Sequence, residues 1–181
     1  MSVDRPSRAQ IERVCRTFSD ETTMDVFARL YIIRKAGMFG RAHQHLAHFL
    51  EGTGKNLTFD LEGLLRDVPA VKDRIVAEVR AAHRRKQTHG RIEIKQRHYQ
   101  ARTQTQIDWQ YALGGFIVAW RPIWGRSGAF RLTVLNKYQW HAEDRERTRC
   151  IHEAGERLDR AGKARNYMMM GETVLELDPT L

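Results

Sequence analysis

The apolar positions of this chain change period once, near Gly90. Before it they recur every three or four residues, as on a helix face; after it they alternate, as on a strand. Ser7 can cap a first helix carrying Ile11, Val14, Cys15 and Phe18. A second runs from Met24 through Phe27, Ala28, Leu30 and Tyr31 to a stop at Gly37, and a third holds Ala42, Leu46, Phe49 and Leu50 before Gly52. Leu57 and Phe59 suit a short extended piece. Asp60 can cap the short helix LEGLLRD, and Pro69 suits the first turn of the next helix, whose apolar face is Val71, Ile75, Val79 and Ala82.

Beyond Gly90, Ile92 and Ile94 alternate with charged neighbours. The stretch 107–141 holds all four tryptophans. Gly114-Gly115 reads as a bulge inside a strand 107–120, and Pro122, Gly125 and Gly128 mark a turn. The strand 129–141 then puts Phe130, Leu132, Val134, Tyr138 and Trp140 on one face, with Asn136 interrupting the row. Arg131, Thr133, Lys137 and Gln139 fall on the other. The segments 107–120 and 129–141 are thus expected to form an antiparallel hairpin, with 91–100 as a third strand. A helix with Ile151, Ala154, Leu158 and Ala161 on one side, closed by Gly162, leads to a last strand at 173–177. The whole predicts one α+β domain over residues 1–181. It has a helical half, 1–85, then a β-rich half, 91–181, with an antiparallel hairpin or small sheet, a C-terminal helix and a strand.

With 41% hydrophobic and 29% charged residues, the composition is that of a globular protein with a real core. No apolar run reaches the roughly 20 residues that span a bilayer. The N-terminal MSVDRPSRAQ has no apolar core of a signal peptide, and Cys15 and Cys150 are too few for a disulfide scaffold. Both fit the cytoplasm of the producing cell and two buried free thiols. Export without a cleaved signal stays open.

Charge changes the picture more. The net charge is +9, and residues 80–102 hold eight Lys/Arg against one acid, Glu93. Arg84, Arg85, Lys86, Arg91, Lys95 and Arg97 are therefore candidate polyanion-binding residues, for nucleic acid or anionic lipid. The alternative is a solvated basic face.

Candidate chemistry is sparse. Gly54-Lys55 lacks the earlier glycine and the following Ser/Thr of a phosphate loop, and Phe49 and Asn56 stand there instead. In HQHLAH, His45 and His48 can share a helix face, but His43 lies far round from His48. The three cannot meet one metal, and they read as polar-face histidines. His152-Glu153 lacks the second histidine of a zinc helix. No residue set names a metal or cofactor. The end of the strand 129–141 is the better candidate. Lys137, Gln139 and His141 would line a polar cleft beneath a helix over 146–161, with His141 as general base. Tyr138 and Trp140 would pack, Trp140 mattering for folding.

Several features of 107–177 resemble C-terminal toxin modules of bacterial polymorphic and type VI secreted effectors. They are Gly114-Gly115, Tyr138 with Trp140, and the run Gly162, Ala164, Arg165, Tyr167 and Gly171. The motif of the colicin M family, Asp-x-Tyr-Asp followed by His-Arg, is not matched: Asn136 and Gln139 replace the acids, and its lipid II chemistry is not carried over. The resemblance implies an antibacterial effector acting on a neighbouring cell, at its envelope, with Tyr138, His141 and Arg165 as the catalytic candidates and a cognate immunity protein as partner. Whether such a domain is an enzyme is not implied. The competing expectation is a nucleic-acid-binding protein or nuclease using residues 80–102.

Overall fold

The computed structural model describes residues 40–139 and 149–178. It shows an α+β protein with a five-stranded mixed sheet. In chain order the elements are α1 (Gly40–Leu50), β1 (Leu57–Thr58), α2 (Leu61–Asp67), α3 (Pro69–Arg84), β2 (Gly90–Ile94), a 3-10 turn (Gln96–Tyr99), α4 (Gln104–Leu113), β3 (Phe116–Pro122), β4 (Ala129–Tyr138), α5 (Arg149–Arg160) and β5 (Tyr167–Glu176). The two helices expected before residue 40, together with Cys15, lie outside the described residues, as do Trp140 and His141; so does the side chain of Cys150. Among the described residues, no helix is long and apolar enough to cross a membrane.

The chain's contacts group into two compact units, each discontinuous in sequence. One draws on Met1–Lys55 and Tyr138–Tyr167, the other on Asn56–Lys137 and Met168–Leu181.

The second unit holds the sheet, in the order β1-β5-β4-β3-β2. β2 pairs with β3, and β3 with β4, antiparallel; β1 pairs with β5 in parallel. The contacts Leu177 N to Gly128 O and Arg131 to Glu172 run in opposite senses along β4 and β5, so these two are also antiparallel. The inner face carries Ile92, Ile94, Phe116, Val118, Trp120, Phe130, Leu132, Val134, Met169 and Leu175, all buried. Ring contacts Tyr99–Phe116 and His83–Phe130 join this face to the 3-10 turn and to the last turn of α3. The predicted α3 face, Val71, Ile75, Val79 and Ala82, is buried as spaced. Asp60 caps α2 by accepting from Gly63 N at 2.8 Å, and Pro69 opens α3. On β4 the expected alternation holds from Phe130 to Leu135, with Leu135 at 62% exposure next to the buried Val134. Asn136, the break in the apolar row, donates its side-chain amide to Gly115 O at 2.9 Å, just ahead of β3.

Three segments correct the sequence expectation. Residues 104–113 are helix, not the first half of a strand. Asp108, Trp109, Ala112 and Leu113 form its buried stripe, and Thr103 and Gln106 cap it reciprocally. Trp109 Nε1 donates to Asp67 Oδ2 at 3.0 Å, tying α4 to α2. Gly114-Gly115 is therefore a helix stop rather than a bulge; Gly114 has φ +61°, which a side chain would resist. The last strand begins at Tyr167, six residues before the expected 173. The segment 91–100 is strand only as far as Ile94.

One core residue carries an unfavourable atom. Tyr99 is 1% exposed, and its hydroxyl has no hydrogen-bond partner among the described residues. Burial pushes its phenol far above the usual range. A buried hydroxyl with no partner costs about 1–3 kcal/mol. Tyr99→Phe should therefore raise the unfolding free energy by about 1 kcal/mol, read as a higher urea midpoint at unchanged m value.

Candidate functional site

In the first unit, α1 and the segment after α5 meet through an aromatic and histidine cluster. Leu158 on α5 is buried, and the chain turns at Gly162. Ala164 is buried, Arg165 N donates to Phe49 O at 2.9 Å, and the Arg165 stem lies over Gly54, where an added Cβ would come within 2.6 Å of its Cδ. The rest of Arg165 is exposed.

Tyr167 is buried, and its hydroxyl lies 3.0 Å from His45 O and 2.8 Å from His45 Nδ1. A hydroxyl has one proton, and a carbonyl can only accept. Tyr167 thus donates to the carbonyl, and His45 Nδ1 carries the proton that it gives to the phenol oxygen. Tyr138 stacks on Tyr167 with ring centroids 5.0 Å apart and planes at 14°, and Phe49 lies 6.0 Å from Tyr138. His48 meets Tyr167 edge-on at 4.5 Å, and its Nε2 donates to Lys55 O at 2.7 Å. Burial pushes both phenols above their usual range, and for Tyr167 the neighbouring Tyr138 adds to it. Both stay protonated at neutral pH. They can donate hydrogen bonds, but they are poor nucleophiles.

The polar-face reading of the histidines fails at His45, which is 2% exposed and held by Tyr167. Among the described residues no group of three or more His, Cys, Asp or Glu could hold a metal ion. Of the three catalytic candidates, Tyr138 joins the cluster, Arg165 borders the Gly52–Lys55 loop, and His141 lies outside the described residues. The pairing of Tyr167 with His45, 122 residues apart, could not be read from the sequence because no spacing rule links them.

In the second unit the basic segment is laid along an edge of the sheet. Arg84 ends α3, Arg85 caps it, and Lys86 follows with φ +58°. Lys86 N donates to His83 O and Gln87 N to Ala82 O, which closes the helix in a Schellman motif. Glycine usually occupies that left-handed position. β2 is the last strand in the sheet, so Arg91 and Lys95 stand on an edge. Arg91 lies opposite Ala119, and Arg97 is in the 3-10 turn. All six predicted polyanion-binding residues are exposed. Lys95 pairs with Glu93 at 3.1 Å.

The six do not form a single spot. Arg84, Arg85 and Lys86 close α3, and Arg91 stands at the start of β2 on the sheet face opposite to the one that Ile92 and Ile94 bury; Lys95 and Arg97 lie at the strand's other end, about 16 Å away for five extended residues. The first group gains a member that no spacing in the sequence linked to it. Gly90 lies opposite Trp120 in the β2–β3 ladder, so the exposed Arg121 of β3 comes to the same end of the sheet. At the other end, burial lowers the pKa of His98 below its ordinary 6.5, and Arg74, Arg97 and Lys95 push it the same way against Glu93. At that end three cations thus act on the imidazole against one acid. Compared with known protein families, with curated proteins and with solved structures, the chain matches none.

Proposed function

We propose that this protein binds nucleic acid through the basic edge formed by the end of α3, strand β2 and the 3-10 turn. The observation that carries this reading is the track of exposed cations Arg84, Arg85, Lys86, Arg91, Lys95 and Arg97, with Glu93 as the one acid in the segment. A linear track suits a chain of phosphates better than it suits a membrane plane. Lys86 adds support. A non-glycine residue in the left-handed region costs about 1–2 kcal/mol, and such strain persists where the side chain has a use.

The test is binding to labelled DNA and RNA across a salt series. Six phosphate contacts would give a logarithmic slope of about −4 on a single strand and about −5 on a duplex. Arg84→Glu/Arg85→Glu/Lys86→Glu should weaken binding at least tenfold. Lys86→Gly should do two opposite things: stabilise the fold by about 1 kcal/mol and reduce the salt slope by about one. Undetectable binding of both nucleic acids at low salt would leave the segment a solvated face.

A second reading is the toxin-like effector, acting on a neighbouring cell and held in check by an immunity protein. One observation favours it. Ala164, Arg165 and Tyr167, in the stretch that carries the resemblance, each meet α1 or the loop after it, so the stretch is a built feature. Expression in the cytoplasm and, separately, in the periplasm should then arrest growth, and Arg165→Ala should relieve the arrest while still folding. A parent chain harmless in both compartments ends this reading.

A further inference from the structure

The turn between β3 and β4 presents one large aromatic to solvent. Trp124 is 100% exposed, whereas Trp109 and Trp120 are 2% and 3% exposed. The turn beneath it is ordered by hydrogen bonds. Arg126 N donates to Ile123 O, Ala129 N to Arg126 O, and Ile123 N to Ala129 O. Gly125 and Gly128, both at positive φ, take the third position of two successive β-turns, which leaves Trp124 at the corner of the first. A fully exposed indole on an ordered turn that could carry any polar residue is a contact surface.

Its neighbours say what kind. Trp124 follows Arg121 by three residues, at the end of the sheet where Gly90 pairs with Trp120 and where the ring of His83, next to Arg84, meets Phe130 at 5.5 Å. Arg126 and Arg131 are already paired with Glu176 and Glu172. Arg84, Arg85, Lys86, Arg91 and Arg121 have no acidic partner among the described residues. The same end of the sheet thus offers one aromatic face and five cations for phosphate. A duplex hides its base faces; a single strand exposes them, and stacking on an aromatic side chain needs no particular sequence.

We propose that Trp124 is a stacking platform for a base of single-stranded nucleic acid, whose phosphates lie on Arg121, Arg91 and the Arg84–Lys86 corner. This rests on the nucleic-acid reading above and adds strand preference to it. The basic face supplies affinity for either form, and Trp124 supplies the preference for unpaired bases.

The experiment titrates the full chain, its Trp124→Ala variant and its Arg121→Ala variant with three probes: a short oligothymidylate, a blunt duplex of equal length and phosphatidylglycerol vesicles. The parent should bind the single strand more tightly than the duplex, with tryptophan emission quenched. Trp124→Ala should weaken single-strand binding about tenfold, abolish the preference and leave duplex binding and salt slope unchanged. Arg121→Ala should weaken both forms and reduce the slope. Equal loss on both forms, or none on either, overturns the stacking role while leaving the basic edge intact. Vesicle binding that depends on Trp124, with no single-strand preference, makes the residue a membrane anchor and also overturns it. A parent that binds neither nucleic acid removes this proposal and the reading beneath it together.

Discussion

Trp109→Ala should lower the unfolding free energy by about 3–5 kcal/mol, the range for truncating a buried aromatic. Trp109 is 2% exposed on α4, it lies edge-on to Phe59, and its indole N–H reaches the Asp67 carboxylate at 3.0 Å. Removing it takes away core volume and one bond to a half-buried charge together. Trp109→Phe separates the two: it keeps most of the ring and drops the donor, and should cost about 1–2 kcal/mol. Asp67 keeps a second contact, to Arg66, which holds that figure down. Urea unfolding of both variants reads the difference. An alanine variant within about 1 kcal/mol of the parent would mean that α4 is not fastened to the core as described.

The second large effect concerns Gly171, midway along β5. An added Cβ there would sit 2.7 Å from Phe59 Cζ and 3.0 Å from both of its ring Cε atoms. Three ring atoms at that range mean that the ring lies across the strand and cannot step aside by a small rotation. Gly171→Ala should therefore cost about 1–3 kcal/mol as overpacking. Phe59→Leu in the same chain should recover part of it, so the double variant should lose less than the two single losses together. Strict additivity would show that the ring finds another place to lie.

Local rules located α3 and β4 well, and the reason is physical. Val71, Ile75, Val79 and Ala82 repeat at helical spacing behind a proline, and Phe130, Leu132 and Val134 repeat at strand spacing behind a glycine turn. Each face is buried by one layer, so periodicity and burial agree. α4 defeated the same rule. Its stripe of Asp108, Trp109, Ala112 and Leu113 includes a charge, and the glycine pair after it resembled a bulge. The capping pair Thr103 and Gln106 was nevertheless written in the sequence as Thr-x-x-Gln ahead of Ile107, and it would have marked the helix start. The sites follow the same division. The basic segment showed in the charge count, but Arg121 joins it only through strand register. Tyr167 reaches His45 only through a contact across more than a hundred residues.

Strand β2 has a consequence for how copies of this chain treat one another. It is an edge, with one row of backbone donors and acceptors outside the ladder to β3. Such a row is a template on which a second chain can add a strand. Lys95 is paired with Glu93, so the uncompensated charge along the row is that of Arg91, and two molecules approaching edge to edge repel through it before their backbones can pair. The repulsion is only as long as the Debye length, about 10 Å at 0.1 M salt and about 3 Å at 1 M. Concentrated salt therefore weakens a guard made of the same side chains that would hold phosphate. Every charge removed from them to probe binding also removes a guard against aggregation.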